Sequence, residues 1–138
     1  RTVVQRQKLL DATVCSVERI PLRVIKGIGV DVCDVSRWEA AVRRHPGMVR
    51  KVLTEAEAAT PSRSQAARFA AKEALYKALG GRDGLSWQDC EVVSDSGVPR
   101  FELRGSLARR ASEHGVAQVH LSLSHDAGVA VAMVVCEG

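Results

Sequence analysis

Two carboxylates and a lysine are the residues whose types and spacing best fit metal and phosphate chemistry. Glu73 and Lys77 lie four residues apart in Arg68–Gly81, a segment rich in strong helix formers that ends in two glycines. Asp31 follows two glycines in a β-branched segment near the start of the chain. Two carboxylates, together with phosphate oxygens and water, form the oxygen ligand set that Mg²⁺ prefers. The pattern therefore indicates a magnesium site shared by Asp31 and Glu73, with cations beside it for phosphate.

Each of these residues also has an ordinary structural explanation. Glu73 and Lys77 would form an exposed i,i+4 ion pair on a helix, which is worth only about 0.2–0.5 kcal/mol. A lone Gly-x-Asp triplet is common, and a carboxylate at a strand end often caps a helix or closes a turn. Here Ser36 and Glu39 form a capping-box pattern for the next helix, and Asp34 is another candidate for its cap. This leaves Asp31 without an evident structural role.

Further polar residues are candidates for the same chemistry. Arg68 and Lys72 flank the same helix and could neutralise phosphate together with Lys77. His125 and Asp126 follow an alternating strand and are predicted to lie in a turn, where a histidine could contact phosphate or exchange a proton. A plain turn explains them equally well. His120 should point to the opposite face of the strand from His125, which argues against a paired-histidine metal site.

The elements that must position these residues predict an α+β fold, with an antiparallel sheet and a long helix packed on it. A strand is predicted over 24–32, and its glycines indicate close approach by another element. The long helix should begin with Thr60 as N-cap and Pro61 as first residue. Further strands are predicted at 90–94, 99–104, 118–124 and 129–136, with a helix at 105–114. One broad arc of the long helix is apolar and mostly small: Ala70, Ala71, Ala74, Leu75, Ala78 and Leu79.

Composition limits the classes of protein to consider. The chain has 138 residues, 46% of them hydrophobic, which fits one globular domain. The net charge of +4 favours an acidic or polyphosphate partner, although a slightly basic enzyme surface explains it about as well. The charge is too small, and aromatic residues are too few, to indicate nucleic-acid binding. The four cysteines form no CxxC pair and are expected to be reduced and buried, as in a cytoplasmic protein. The sequence contains no apolar run of membrane-spanning length.

Three motifs together resemble the holo-acyl-carrier-protein synthase family, the short type of 4'-phosphopantetheinyl transferase. They are GIGVDV at 27–32, RFAAKEALYKALG at 68–80 and HLSLSHD at 120–126. TEAE at 54–57 and GVPRFEL at 97–103 are also similar to the family. The resemblance covers about 24–137 and implies a phosphopantetheinyl transferase domain at 24–138. Residues 1–23 are left as an N-terminal extension of uncertain order.

The resemblance implies a reaction and a role for each candidate residue. Coenzyme A would give its phosphopantetheine arm to a serine of an apo carrier protein and release adenosine 3',5'-bisphosphate. Asp31 and Glu73 match the family's Mg²⁺ ligands, Lys77 a lysine on the pyrophosphate and His125 a histidine near CoA. Roles in CoA binding for Arg68 and Lys72 are implied less directly by their motif positions. Three bases for the serine hydroxyl stay open: Glu73, a metal-bound water and Asp126.

The resemblance also implies partners. Members of this type form homotrimers with CoA bound between neighbouring chains, and their carrier proteins are acidic. The basic residues Arg43, Arg44, Arg50 and Lys51 are therefore a candidate docking face, although a solvated helix face explains them nearly as well. The fatty-acid or polyketide nature of the carrier stays open. The alternative function is an inactive or carrier-binding domain of the same fold within a larger synthase.

Overall fold

The computed structural model describes residues 22–138, so almost all of the predicted extension, including Cys15, lies outside the described residues. Within this range the chain forms five α-helices, one short 3-10 helix at Trp87–Asp89 and five β-strands. The helices are α1 Val35–Arg44, α2 Gly47–Val52, α3 Glu55–Ala58, α4 Ser62–Ala78 and α5 Gly105–Glu113. The strands are β1 Ile25–Asp34, β2 Cys90–Asp95, β3 Val98–Leu103, β4 Gln118–Asp126 and β5 Val129–Glu137.

The strands form two antiparallel sheets. β5 lies at the centre of a three-stranded sheet, between β1 and β4, and β2 and β3 form a separate hairpin. The register pairs Asp31 with Ala132 and His125 with Ala130, so the two candidate residues lie on the outer strands of one sheet. The predicted α+β class, the antiparallel pairing and the hairpin are confirmed.

The long helix α4 packs its predicted small-residue arc against the three-stranded sheet. All six residues of that arc are buried. The approach to β1 is very close: a Cβ on Gly29 would lie 1.8 Å from the Ala74 carbonyl oxygen, and one on Gly27 would lie 2.0 Å from that of Ala78. Only glycine leaves room for this contact, which confirms the predicted close approach.

The first strand is longer than predicted, and this changes the surroundings of Asp31. β1 continues to Asp34, so Asp31 lies within the strand and not at its end. Asp34 caps α1, because its carboxylate accepts a hydrogen bond from the Arg37 backbone N–H at 2.9 Å. The predicted capping box of Ser36 and Glu39 is therefore wrong, since a carboxylate two residues earlier already holds the cap position.

Other boundaries differ in smaller ways. The basic segment after α1 forms the short helix α2, and α4 begins at Ser62 with Pro61 as its N-cap, one residue later than predicted. Thr54 and Glu57 form a capping box at the start of α3, and both of its hydrogen bonds are present. His125 and Asp126 were predicted in a turn, but they end β4, and the turn follows at 127–128. Pairing with β5 continues that far because the turn needs only two residues.

Within residues 22–138 the three cysteines, Cys33, Cys90 and Cys136, are buried free thiols. Burial raises the pKa of Cys33 to about 11 and that of Cys90 to about 12, so both are expected to stay protonated at neutral pH. The prediction of buried, reduced cysteines is confirmed for these three. None of the helices in the described part of the chain has the length and apolar character needed to span a membrane.

Candidate active site

Asp31 and Glu73 meet where β1 crosses α4. Glycines alternate with Asp31 along the face of β1 that packs on the helix, and Gly29 contacts the backbone of Ala74, next to Glu73. Each carboxylate retains about a fifth of its exposure, at 20% for Asp31 and 22% for Glu73. Partial burial raises the pKa of Glu73, and the nearby charge of Asp31 raises it further. The two carboxylates are thus close enough to interact electrostatically, as their predicted partnership requires.

Lys77 belongs to Asp31 and not to Glu73. Its Nζ lies 3.1 Å from Asp31 Oδ1 and donates a second hydrogen bond to the Val30 carbonyl at 2.9 Å. More than half of the lysine side chain is exposed. The i,i+4 ion pair considered for Glu73 and Lys77 does not form, because β1 offers the lysine two acceptors. The ammonium group therefore stands at the edge of the carboxylate pair, accessible to an anionic ligand.

Glu73 instead has a partner that sequence reasoning missed. Arg82 Nη1 lies 3.4 Å from Glu73 Oε1, and the positive charge of Arg82 partly offsets the rise in the Glu73 pKa. Arg82 follows the two glycines after α4, outside the helical periodicity that marks Glu73 and Lys77. A cation in the loop after a helix has no periodic spacing to the helix residues, so the sequence does not predict this contact and only the folded chain reveals it.

The two carboxylates fit Mg²⁺ better than a metal whose ligands must all come from protein side chains. Asp31 and Glu73 provide hard carboxylate oxygens and both remain partly exposed. Within residues 22–138, no group of three or more His, Cys, Asp or Glu side chains comes together as a candidate metal site. Mg²⁺ is commonly held by one or two carboxylates, with the other positions taken by water and phosphate. The two carboxylates therefore suit a magnesium ion shared with a phosphate ligand.

The structure contradicts the predicted role of Lys72 in CoA binding. Its side chain is 0% exposed, and its Nζ lies 2.7 Å from Glu57 Oε1. The same Nζ donates to the carbonyls of Val52 at 2.9 Å and Trp87 at 3.0 Å, so its donors are used inside the fold. Glu57 also accepts from the Val92 backbone N–H at 2.8 Å. Lys72 thus ties α4 to three other segments, and no part of it is available to a ligand.

Arg68, one helical turn before Lys72, remains a candidate contact for coenzyme A. Its Nη1 donates to the Ser64 carbonyl at 3.4 Å, one turn earlier in the helix. Its buried Nε has no hydrogen-bond partner within the described residues. The guanidinium is partly buried and is not fully satisfied by the fold, which leaves hydrogen-bonding capacity for a ligand.

His125 lies apart from the carboxylate pair, on the inner face of β4. His120 is exposed on the other face, as predicted. A cavity of about 310 Å³ adjoins His125 and Asp126 at the end of the strand, and Arg63 of α4 also lines it. Among the described residues the buried Nε2 of His125 has no hydrogen-bond partner. The cavity is lined by a histidine and an arginine, the kinds of group that bind phosphate, together with the Asp126 carboxylate and apolar residues. Arg63 was not identified from the sequence.

The chain matches a known family along most of its length. Residues 27–134 fit the model of the 4'-phosphopantetheinyl transferase superfamily. A holo-[acyl-carrier-protein] synthase of Cutibacterium acnes is 81% identical over 115 residues, which cover 83% of this chain and 100% of that relative.

Solved structures agree with the sequence comparison. The holo-[acyl-carrier-protein] synthase of Neisseria meningitidis has a TM-score of 0.76 at 31% identity, over 83% of this chain and 100% of that one. The Helicobacter pylori enzyme in complex with coenzyme A has a TM-score of 0.70 at 31% identity, over 79% and 98%. With these matches and the motifs on β1 and α4, the chain belongs to the 4'-phosphopantetheinyl transferase superfamily.

Proposed function

We infer that this chain is a holo-[acyl-carrier-protein] synthase, which transfers 4'-phosphopantetheine from coenzyme A to a serine of an apo carrier protein. The other product is adenosine 3',5'-bisphosphate. One observation carries the inference: a chain that matches such synthases over their whole length brings Asp31 and Glu73 together beside Lys77. The alternative, a carrier-binding domain without activity, is disfavoured because none of these three residues is lost.

We propose that Asp31 and Glu73 hold Mg²⁺, with coenzyme A supplying phosphate oxygens. When bound, the ion would neutralise charge on the pyrophosphate. Partial exposure of the two carboxylates and the close approach of β1 to α4 beside them support this assignment. Lys77 would bind the same pyrophosphate through its exposed ammonium group, and the Val30 carbonyl would hold the side chain in position.

The transfer exchanges one phosphorus–oxygen bond for another. The serine oxygen bonds to the phosphorus that carries pantetheine, and the bond from that phosphorus to the bridging oxygen breaks, leaving the electron pair on adenosine 3',5'-bisphosphate. Lys77 stabilises the negative charge that develops there. Of the two protein carboxylates considered as base for the serine proton, Glu73 is favoured by position, because it lies near Asp31 and Lys77 whereas Asp126 lines the separate cavity beside His125.

The cavity beside His125 is the proposed binding site for a more distant phosphate of coenzyme A. The unpartnered Nε2 of His125 and the Arg63 lining support this role. Arg68, with its unpartnered Nε, remains a proposed contact on the same helix as Arg63. Asp126 lies at the rim of the cavity, where its carboxylate is exposed.

We propose that the chain acts as a homotrimer with shared sites. The face of the three-stranded sheet that points away from α4 carries an apolar strip, defined by four side chains that are half or more exposed. They are Ile28, Val30 and Val32 on β1 and Met133 on β5. Contiguous exposed apolar surface of this kind is typical of protein interfaces. Lys77 borders this strip through Val30, so a neighbouring chain there would lie close to the carboxylate pair.

The proposed docking face for an acidic carrier consists of Arg43 and Arg44 on α1 and Arg50 and Lys51 on α2. All four are exposed, and they end two helices that are consecutive in the chain. Attraction between opposite charges accelerates association of two partners, and salt screens this attraction. The transfer rate at low carrier concentration should therefore fall as ionic strength rises. A cytoplasmic location remains a prediction from the sequence.

The proposed function is tested by incubating the chain with coenzyme A, Mg²⁺ and an apo acyl carrier protein and measuring the intact mass of the carrier. A gain of one phosphopantetheine group is expected, at the serine alone. If several fatty-acid and polyketide carriers all keep their apo mass, the transferase assignment is wrong and the binding-domain alternative stands.

A further inference from the structure

Arg82 is a second cation of the carboxylate pair. Its Nη1 lies 3.4 Å from Glu73 Oε1, and its guanidinium carbon lies 5.6 Å from the centre of the Trp87 ring. Within residues 22–138, Glu73 is the one side chain that accepts a hydrogen bond from it. The arginine side chain is 60% exposed. A long contact to a single acceptor, made by an exposed side chain, is weak and readily exchanged for another.

The backbone beneath Arg82 is fixed independently of the side chain. Arg110 of α5 donates through Nη1 to the carbonyls of Leu79 and Gly81, at 3.3 Å each, and through Nη2 to that of Asp83. These three carbonyls flank Arg82 on both sides. The loop therefore keeps its position at the end of α4 while the guanidinium can rotate about its own side-chain bonds.

The charges of the pair balance before any ligand binds. Asp31 has Lys77 at 3.1 Å and Glu73 has Arg82 at 3.4 Å, so two negative groups face two positive ones. A divalent cation between the carboxylates adds two positive charges and would repel both side chains. Lys77 is retained by a second bond to the Val30 carbonyl. Arg82 has no such bond, so it is the cation that gives way.

We propose that Arg82 is an exchangeable counter-ion. It neutralises Glu73 while the site lacks a metal, and it moves onto the pyrophosphate of coenzyme A when the metal and coenzyme A bind. The inference rests on the proposed function and assigns a ligand-binding role to a residue that the family motifs did not select. It predicts that removing the arginine charge has opposite effects on the two ligands.

The first test measures metal binding to the full chain without coenzyme A. Mn²⁺ accepts the same carboxylate and water ligands as Mg²⁺, and the free ion is counted by its paramagnetic resonance signal. Arg82→Gln should lower the dissociation constant for Mn²⁺ by roughly threefold to tenfold, because a competing cation is gone. The matched control is Arg100→Gln, which removes another exposed, ion-paired arginine, from β3. It should leave the dissociation constant unchanged.

The second test measures the KM for coenzyme A in the transfer reaction. Arg82→Gln should raise it about tenfold, since a charge-assisted bond to phosphate is lost, and Arg82→Lys should raise it less. A residue that merely supports the fold would weaken both ligands together. The proposal is overturned if Arg82→Gln weakens Mn²⁺ binding or leaves it unchanged. Failure of the wild-type chain to bind Mn²⁺ would overturn the magnesium site as well. The transferase activity is tested separately, by the mass of the carrier protein after incubation.

Discussion

At the scale of single residues, α4 carries two lysines with different tasks. Lys72 is sealed inside the fold with Glu57, while Lys77 stands half exposed beside Asp31. The difference arises from helix geometry, because residues five positions apart point to different sides of an α-helix. The motif KEALYK therefore combines one lysine that holds the domain together and one that faces the site.

Replacing each lysine with methionine should separate these tasks. Lys72→Met leaves the Glu57 carboxylate buried without its partner and should lower the free energy of unfolding by about 3–5 kcal/mol. Lys77→Met should change stability by no more than about 1 kcal/mol, but reduce the transfer rate on the order of 100-fold. Urea denaturation and the transfer assay measure the two effects. Equal loss of stability in both variants would show that the distinction is wrong.

The residues of the carboxylate pair could be identified from sequence, but their partners could not. Asp31 and Glu73 are marked by glycine spacing and by helix phase, which are local properties of the chain. The cation that pairs with each carboxylate depends on the position of β1 along α4 and on the direction of the loop after α4, neither of which is a local property of the sequence. Lys72 was misassigned for the same reason, since its burial depends on a capping residue, Glu57, fifteen positions earlier.

At the scale of elements, two glycines set the distance between strand and helix. β1 lies so close to α4 that a single methyl group on Gly29 would overlap the Ala74 carbonyl oxygen. The obstacle is backbone, which cannot turn away as a side chain can. This close packing brings Asp31 to the level of Glu73, so the glycines serve the site through the geometry of the interface.

Adding that methyl group should therefore damage both fold and site. Gly29→Ala is expected to cost about 3 kcal/mol or more of unfolding free energy and to weaken Mn²⁺ binding, because β1 must move off α4. Gly47→Ala is the matched control: nothing lies within 4 Å of its added Cβ, and the residue begins α2. It should be neutral or stabilise the chain by up to about 0.5–1 kcal/mol. A Gly29 variant as stable as the Gly47 variant would contradict this account.

The order and type of the elements were predictable, whereas some ends were not. Alternation in β4 and the small-residue arc of α4 are strong periodic signals, and both are confirmed. The end of β1 was placed too early, because three carboxylate or hydroxyl residues, Asp31, Asp34 and Ser36, all compete for the same cap. Which of them wins depends on the pairing of Asp34 with Val129 in β5, a contact between distant parts of the sequence.

At the scale of the whole molecule, the apolar strip would be exposed to solvent if the chain were a monomer. Contiguous apolar surface of this kind more often forms an interface with a partner. Its three members on β1 alternate with the glycines and Asp31 along that strand, so the strand has one face for α4 and another for a partner. The proposed trimer uses this second face. Shared sites would then follow from the fact that the two faces belong to the same strand.

A charge placed in the strip should disrupt the assembly. Met133→Glu introduces a carboxylate beside Val30 in the apolar strip and is expected to yield monomers with much reduced transfer activity. Val98→Glu makes a similar change at an exposed position of the hairpin, outside the strip, and should leave the oligomer intact. Sedimentation velocity at micromolar concentration measures the mass of both. A wild-type monomer with full activity would contradict the shared-site proposal.

The central claim is that this protein transfers phosphopantetheine through a site that includes Glu73, and the mass of an apo carrier protein tests it most directly. The carrier is incubated with coenzyme A, Mg²⁺ and either the wild-type chain, Glu73→Gln or the exposed control Glu102→Gln, which is remote in sequence and lies on β3. We expect complete conversion to the holo mass with the wild type and the control, and a rate lower on the order of 100-fold or more with Glu73→Gln. Conversion by Glu73→Gln at the wild-type rate would contradict the account.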